Sequence, residues 1–210
     1  MRITTFILFV LSIFGLFVFA SQPKAISTNK SYTVKVDTFV LDTAKSVIHW
    51  NCKHYGSIKF KSGFLNTSNE ILDGLHVSIN MNSVKNTDIE NKLLQGTLEN
   101  VLKSIEFFNT EVYPEARFES HQITKLENNN YYFEGDFVFF ENGICSNFKG
   151  TVKIENDSIH LNTETIIINR TDWGMYYLSV NNLYPKEEES GFVVSDTIFF
   201  DAHITAYRKK

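Results

Sequence analysis

Six histidines are the residues of this 210-residue chain best suited to acid–base chemistry or metal binding near neutral pH. No two of them have the i, i+4 spacing that would place two metal ligands on one face of a helix, and His49 and His54 fall on opposite faces of one predicted strand. A metal site assembled from distant strands stays open, but no spacing indicates one. We therefore predict no metal site and no cofactor. The histidines are His49, His54, His76, His121, His160 and His203.

The short motifs of common catalytic and nucleotide-binding sites do not occur in the sequence. There is no G-x-S-x-G, H-E-x-x-H, G-x-x-x-x-G-K-S/T or G-x-G-x-x-G segment. General acid–base catalysis by two carboxylates requires both on one wall of a cleft. Asp42, Asp88, Asp136, Asp172 and Asp196 are instead each isolated in sequence, as is typical of caps, turns and surface positions. The sequence therefore predicts a protein that is not an enzyme.

Arg170 and His54 are the two polar residues best placed to contact a ligand. Arg170 is one of three arginines after residue 20 and follows an apolar strand segment. Either it pairs structurally with Asp172 or Asp196, or it binds the polar head group of a ligand at the rim of the fold. His54 closes an apolar strand face. Either it is a core histidine with a satisfied hydrogen bond, or it donates a hydrogen bond to the polar end of an otherwise apolar ligand.

Most of the chain from Tyr32 onward alternates between apolar and polar residues with a period of two, which indicates antiparallel strands with one buried face. Such segments occur at 46–54, 58–64, 75–81, 116–124, 131–140, 148–155, 158–169 and 192–207. We expect their apolar faces to point inward. Besides His54 and Arg170, the residues predicted to contact a ligand are Ile48, Trp50, Phe60, Phe64, Phe137, Phe139 and Phe200.

The segment 86–108 instead has apolar residues at three- and four-residue intervals, which predicts a helical insertion. Asn86, Thr87 and Asp88 offer helix caps, and Gly96 would divide the segment into two short helices. A chain with about eight or nine strands must close its sheet or stack two sheets. The large aromatic residues on the inward faces favour an all-β fold, an elongated antiparallel β-barrel of about eight strands around a narrow apolar cavity.

The composition excludes several classes of partner. A net charge of −4 without a basic block argues against nucleic acid. The content of 14% aromatic residues with only 3 prolines argues against disorder. Cys52 and Cys145 are the only cysteines. They stay free as two buried thiols, or they pair if the chain is exported.

The first twenty residues have the pattern of a secretory signal peptide. Arg2 supplies the positive charge, an apolar run follows, and the small residue Ala20 ends it. We therefore expect cleavage between Ala20 and Ser21, with residues 21–31 as a linker and residues 32–210 as the folded domain. An uncleaved N-terminal anchor is the alternative.

Five segments together carry a resemblance to a known family. They are Leu41-Asp42 with residues 46–50 and His54, residues 83–88, residues 102–120, residues 169–174 and residues 194–196. In this order and spacing they resemble the YceI-like family, the lipid- or polyisoprenoid-binding proteins of bacteria. The resemblance runs from about Tyr32 to Tyr207. The family's Gly-x-Leu-Thr-x-x-Gly strand is represented by residues 135–143, in which the Thr is missing.

The resemblance implies a lipocalin-like barrel that holds one long apolar chain, such as an isoprenoid or a quinone tail. It implies non-catalytic binding, as a carrier or scavenger, by a protein that is periplasmic or secreted after signal peptide cleavage. Burial of a water-insoluble chain needs no catalyst, which agrees with the missing motifs. Transient membrane contact and a homodimer are compatible with this interpretation.

Two other functions stay open. One is an envelope interaction or stress protein whose barrel is filled by its own side chains and takes no ligand. The other is a small hydrolase or isomerase that acts on a lipid through His54 or Arg170.

Overall fold

The computed structural model describes residues 34–179 and 193–210. The predicted signal peptide, its cleavage position and the linker lie outside the described residues. So do the first two residues of the predicted domain and the start of the strand predicted at 192–207.

The described residues form ten strands and one α-helix, with a single 3-10 turn at Arg170–Trp173. The strands are β1 (Val36–Leu41), β2 (Val47–Asn51), β3 (Tyr55–Ser68), β4 (Ile71–Asn86), β5 (Glu115–Lys125), β6 (Asn130–Phe139), β7 (Asn142–Glu155), β8 (Ser158–Thr163), β9 (Ile166–Asn169) and β10 (Thr197–Arg208). The helix, α1 (Lys92–Lys103), lies between β4 and β5. The predicted all-β class with one helical insertion is confirmed.

The ten strands occupy eight positions in a closed antiparallel ring. From β3 to β8 each strand pairs with the next in sequence, apart from α1 between β4 and β5, and β10 closes the ring by pairing with β8 on one side and β2 on the other. β1 and β2 share one position, because both pair with β3 and β10. β8 and β9 share another position beside β10. The predicted barrel of about eight strands is therefore confirmed.

The predicted inward faces are confirmed where the alternation is uninterrupted. In β2 the buried residues Ile48 and Trp50 alternate with the exposed residues His49 and Asn51. In β4, alternate residues from Leu75 to Met81 are buried in the same way. One buried face on every strand is what a closed ring requires, because only one side of the sheet meets the core.

The prediction that Phe64 points into the barrel is wrong, because β3 changes its inward face part-way along. Phe60 is buried, but the pairing with β4 shifts by one residue between Phe60 and Ser62, so that Lys61 is an extra residue. An extra residue reverses every following side chain. Phe64 consequently lies on the outer surface, 40% exposed and stacked on His76.

The helical insertion is one continuous helix rather than the two predicted. Gly96 lies inside α1, and a Cβ atom added at this position would have no neighbouring atom within 4 Å. The N-cap is Asn91, whose side chain accepts hydrogen bonds from the backbone N–H groups of Leu93 and Leu94. Asn86 belongs to β4 rather than to a helix cap. No helix among the described residues is long and apolar enough to cross a membrane.

Candidate functional site

Two adjoining apolar cavities lie inside and beside the ring. The inner cavity is enclosed by inward-facing side chains of the strands and has a volume of about 60 Å³. Its walls include Ile48, Phe60, Met81, Phe118, Phe137, Phe139, Phe148, Ile204 and Phe200. The helix-side cavity lies between α1, the segment after β2 and the start of β10, and has a volume of about 620 Å³.

The inner cavity is too small for a ligand in this conformation. A cavity of roughly 150 Å³ is known to hold one benzene molecule, and the inner cavity is less than half that size. Aromatic side chains account for the filling: the rings of Phe118, Phe137 and Phe148 are in mutual contact, with centroid distances of 4.8 to 6.2 Å. The ring interior is therefore largely packed by its own side chains.

The helix-side cavity has the size and the chemistry of a ligand site. Pockets for small molecules commonly measure roughly 300–1,000 Å³ and are mostly apolar with a few polar groups. The apolar wall is formed by one face of α1, by the two phenylalanines after it and by the segments at 177–178 and 193–200. The residues of this wall are Leu94, Leu98, Val101, Leu102, Phe107, Phe108, Tyr177, Leu178, Val193, Val194, Ile198 and Phe200.

Two hydrogen bonds hold α1 over this cavity by joining it to the end of β4. The Gln95 side chain donates to the carbonyl oxygen of Asn86 at 2.6 Å, and the Glu99 carboxylate accepts from the backbone N–H of Asn86 at 3.0 Å. Leu102 is the buried residue of the helix. The contacts with Asn86 and the packing of Leu102 therefore hold the helix in place, and its apolar residues line the cavity.

The edge of the helix-side cavity carries a histidine–aspartate pair. His54 Nδ1 lies 2.9 Å from Asp88 Oδ2, and Asn86 Nδ2 donates to the other oxygen of that carboxylate. Burial alone would raise the pKa of Asp88, but the hydrogen bonds from His54, Asn86 and the Tyr55 backbone outweigh it and hold the pKa below its ordinary value. The ionised carboxylate fixes the imidazole ring, and Nε2 of His54 makes no hydrogen bond to any described residue.

Lys53 and Cys52 also line the cavity beside His54, and Thr97 of α1 is a further polar residue of the wall. Both cysteines are free. The Sγ atom of Cys52 lies 3.8 Å from the carbonyl oxygen of Ser195, whereas Cys145 is exposed on the outside of β7. Of the two alternatives the structure has the free thiols, but neither is buried as expected: Cys52 is half-buried and Cys145 is exposed.

Arg170 lines neither cavity, and each of its three guanidinium nitrogens donates a hydrogen bond inside the protein. It is completely buried and donates to the carbonyl oxygens of Ser195, Met175 and Val194 at 2.9, 2.6 and 3.0 Å. An Asp196 oxygen lies 3.2 Å from Nη2. Burial lowers the pKa of Arg170, and Asp196 partly offsets this. Of the two interpretations, the structure supports the structural pairing, and it selects Asp196 over the exposed Asp172.

The remaining predicted contact residues divide between the two cavities. Ile48, Phe60, Phe137 and Phe139 line the inner cavity. Trp50 and His54 line the helix-side cavity, and Phe200 lines both. The sequence prediction missed the apolar residues of α1 and the pair Phe107-Phe108. Their three- and four-residue spacing was the available signal, because it marks an apolar helix face that must pack against another part of the protein.

The chain matches a known protein family over most of its length. The model of the YceI-like domain matches residues 39–206. No curated protein matches the chain.

Several solved structures share the fold. The structure is similar to Burkholderia cenocepacia BcnA, with a TM-score of 0.61, 17% sequence identity, and coverage of 79% of this chain and 99% of that chain. It is also similar to a polyisoprenoid binding domain from Saccharophagus degradans implicated in plant cell wall breakdown, with a TM-score of 0.57, 14% identity, and coverage of 83% and 100%. A mutant YceI protein of Campylobacter jejuni gives a TM-score of 0.52 at 17% identity, covering 77% and 85%. At these identities the likeness shows the fold alone.

Proposed function

The chain belongs to the YceI-like family, and we propose that it binds one long apolar lipid, of the polyisoprenoid or isoprenoid-quinone type, without chemically changing it. The proposed role is that of a carrier or scavenger in the periplasm, which the chain would reach through the predicted signal peptide. The polyisoprenoid binding domain from Saccharophagus degradans, which has the same fold, supports the class of ligand.

The observation that carries the proposal is the helix-side cavity, with about 620 Å³ of apolar-walled space and polar residues at one edge. Burying a CH₂ group is worth about 0.8 kcal/mol, so one five-carbon isoprene unit contributes about 4 kcal/mol. A few such units against α1 and Phe107-Phe108 would suffice for tight binding after the cost of association is subtracted. No polar interaction along the chain is required.

The proposed orientation places the polar end of the lipid at His54 and Lys53. The Asp88 carboxylate favours a proton on Nδ1 of His54, and Lys53 supplies a positive charge beside it. With that proton on Nδ1, Nε2 of the neutral ring accepts a hydrogen bond from a polyprenol or quinol hydroxyl, whereas Lys53 donates to a quinone carbonyl oxygen or to the oxygen of that hydroxyl. The apolar chain would then run towards Phe200, which borders the inner cavity.

A second candidate function is supported by the packing of the ring. The inner cavity of about 60 Å³ fits the alternative of an envelope interaction or stress protein that holds no ligand. On that account the helix-side cavity would be a recess left by packing α1 beside the ring.

Native mass spectrometry of the full-length protein from its own envelope fraction, followed by solvent extraction, separates these functions. The lipid-binding account predicts a bound mass of several hundred daltons and an isoprenoid fragmentation pattern in the extract. An empty protein that also stays empty after incubation with quinones and polyprenols would contradict it and support the second candidate. The same spectrum tests export, because cleavage at the predicted position leaves a chain that begins at Ser21.

A further inference from the structure

The geometry points to a binding site for a divalent transition metal of the zinc class on the outer face of the barrel, formed by His121, Asp136 and Cys145. The site is separate from both cavities, whose walls include none of these residues. It does not depend on the lipid-binding proposal.

Three adjacent strands bring these residues together on one face of the sheet. Asp136 of β6 and Cys145 of β7 are directly opposite each other in the antiparallel pairing, so their side chains project from the same face. β5 pairs with β6 on the other side, and its register shifts between Ser120 and Gln122. His121 is the extra residue of that bulge, and a bulge redirects a side chain out of the regular alternation.

The ligand atoms of the three residues already lie close to one another. The nitrogen of His121, a carboxylate oxygen of Asp136 and the sulfur of Cys145 are all within 4.8 Å of each other, and His121 Nε2 is 3.1 Å from Asp136 Oδ2. Zinc bonds to nitrogen and oxygen measure roughly 2.0–2.2 Å and those to sulfur roughly 2.3 Å, which separates tetrahedral ligands by roughly 3.3–3.8 Å. Metal binding would draw the ligand atoms closer together by rotation of the three side chains, all of which are at least partly exposed.

The donor set determines the class of metal. One imidazole, one carboxylate and one thiolate favour Zn²⁺, Co²⁺, Ni²⁺ or Cu²⁺, whereas Mg²⁺ and Ca²⁺ prefer oxygen ligands alone. Three protein ligands leave a fourth position for water. Gly143 precedes Cys145 by two residues and leaves the space beside Asp136 uncovered. Glu119, directly opposite Asp136 in the β5–β6 pairing, adds a negative charge next to the site.

A surface ion pair would explain why His121 and Asp136 lie close together, but it would not explain why Cys145 lies beside them. The exposed thiol of Cys145 makes no hydrogen bond to any described residue, yet its sulfur lies within 4.8 Å of the ligand atoms of both partners. The second free cysteine, Cys52, has a carbonyl oxygen as its neighbour instead. The two thiols therefore differ in their surroundings, and Cys52 provides a matched control.

Cobalt titration of the reduced full-length protein tests the site, because cobalt bound to a thiolate absorbs strongly in the near ultraviolet. We expect the unmodified protein and Cys52→Ser to show this charge-transfer band and Cys145→Ser to lack it. His121→Gln should weaken Co²⁺ binding at least about tenfold, since even the loss of a residue that only supports a ligand costs roughly 10–100-fold. Added Zn²⁺ should abolish the band, whereas Mg²⁺ should leave it unchanged.

Two results would overturn the assignment. One is the absence of a thiolate–cobalt band in the unmodified protein, with circular dichroism confirming that it is folded. The other is a band that Cys145→Ser retains, or that Cys52→Ser loses instead. All three residues lie on the outer face and outside the buried core, so their replacement should leave the fold intact.

Discussion

Phe200 of β10 lies directly opposite Trp50 of β2 in the strand pairing, at the boundary between the two apolar cavities. Trp50 lines only the helix-side cavity, whereas Phe200 lines both that cavity and the inner one. Trp50 is also held in place, because its indole N–H donates to the carbonyl oxygen of Lys85 at 3.2 Å. Phe200 therefore borders both cavities, and on the lipid-binding proposal a chain that passes from the helix-side cavity into the ring would meet its side chain.

Replacing Phe200 by Ala should extend the space available to a lipid chain. We expect Phe200→Ala to retain longer polyprenols than the unmodified protein in native mass spectrometry, because its ring no longer separates the cavities. Loss of this half-buried ring should lower the free energy of unfolding by about 2 kcal/mol. Phe199→Ala, at the outward-facing neighbour, is the control. Equal chain-length preference in all three proteins would show that Phe200 does not limit the cavity.

Arg170 should be required for stability rather than for ligand binding. Arg170→Met removes the guanidinium donor of three carbonyl oxygens and the positive charge beside Asp196, which should lower the free energy of unfolding by about 3–5 kcal/mol in urea denaturation. Replacing the exposed Arg117 by Met should cost less than about 0.5 kcal/mol. A variant at position 170 that is as stable as the unmodified protein but no longer binds lipid would instead identify the guanidinium as a head-group contact.

The depressed pKa of Asp88 makes a defined contribution to the pH dependence of stability. Because the pKa is lower in the folded than in the unfolded chain, the ionised carboxylate stabilises the fold above its unfolded pKa of about 3.9. This contribution disappears as the pH falls through the folded pKa. The stability difference between the unmodified protein and Asp88→Asn should therefore be largest near neutral pH and shrink below about pH 4. Urea denaturation across this range would refute the assignment if the difference stayed constant.

Two glycine-to-alanine substitutions should change stability in opposite directions. A Cβ atom at Gly56 would clash with the carbonyl oxygen of Lys85, so Gly56→Ala must force β3 and β4 apart and should cost about 1–3 kcal/mol. A Cβ atom at Gly96 meets nothing within 4 Å, so Gly96→Ala should stabilise α1 by about 0.5–1 kcal/mol. Thermal unfolding of both variants checks the signs. Destabilisation by both would contradict the placement of Gly96.

The parts of the fold that follow from local periodicity could be predicted from the sequence. The inward faces of β2 and β4 and the position of α1 depend on apolar spacing within a few residues, and the closed ring follows from the number of strands with one apolar face. Phe64 was predicted wrongly because the bulge at Lys61 has no marker in the residue types around it. One inserted residue in the pairing is enough to move a side chain from the core to the surface.

The site depends on contacts between residues far apart in sequence, which periodicity does not reveal. The sequence identifies His54 as a candidate, but its partner Asp88 lies 34 residues away, in a segment whose pattern predicts a helix cap. The pairing of Arg170 with Asp196 rather than Asp172 depends on the turn that leaves Asp172 exposed. The grouping of His121, Asp136 and Cys145 requires the register of three strands, which no spacing along the chain encodes.

The most direct test of the proposed function compares two leucines of α1. Leu98 lines the helix-side cavity, whereas Leu93 is 79% exposed and does not. A quinone in the cavity would lie beside Trp50, so quenching of tryptophan fluorescence reports its binding. We expect the unmodified protein and Leu93→Lys to bind an isoprenoid quinone equally, and Leu98→Lys to bind at least about tenfold more weakly, since it places a charge on an apolar wall. Equal binding by Leu98→Lys, or no binding by the unmodified protein, would contradict a lipid site beneath the helix.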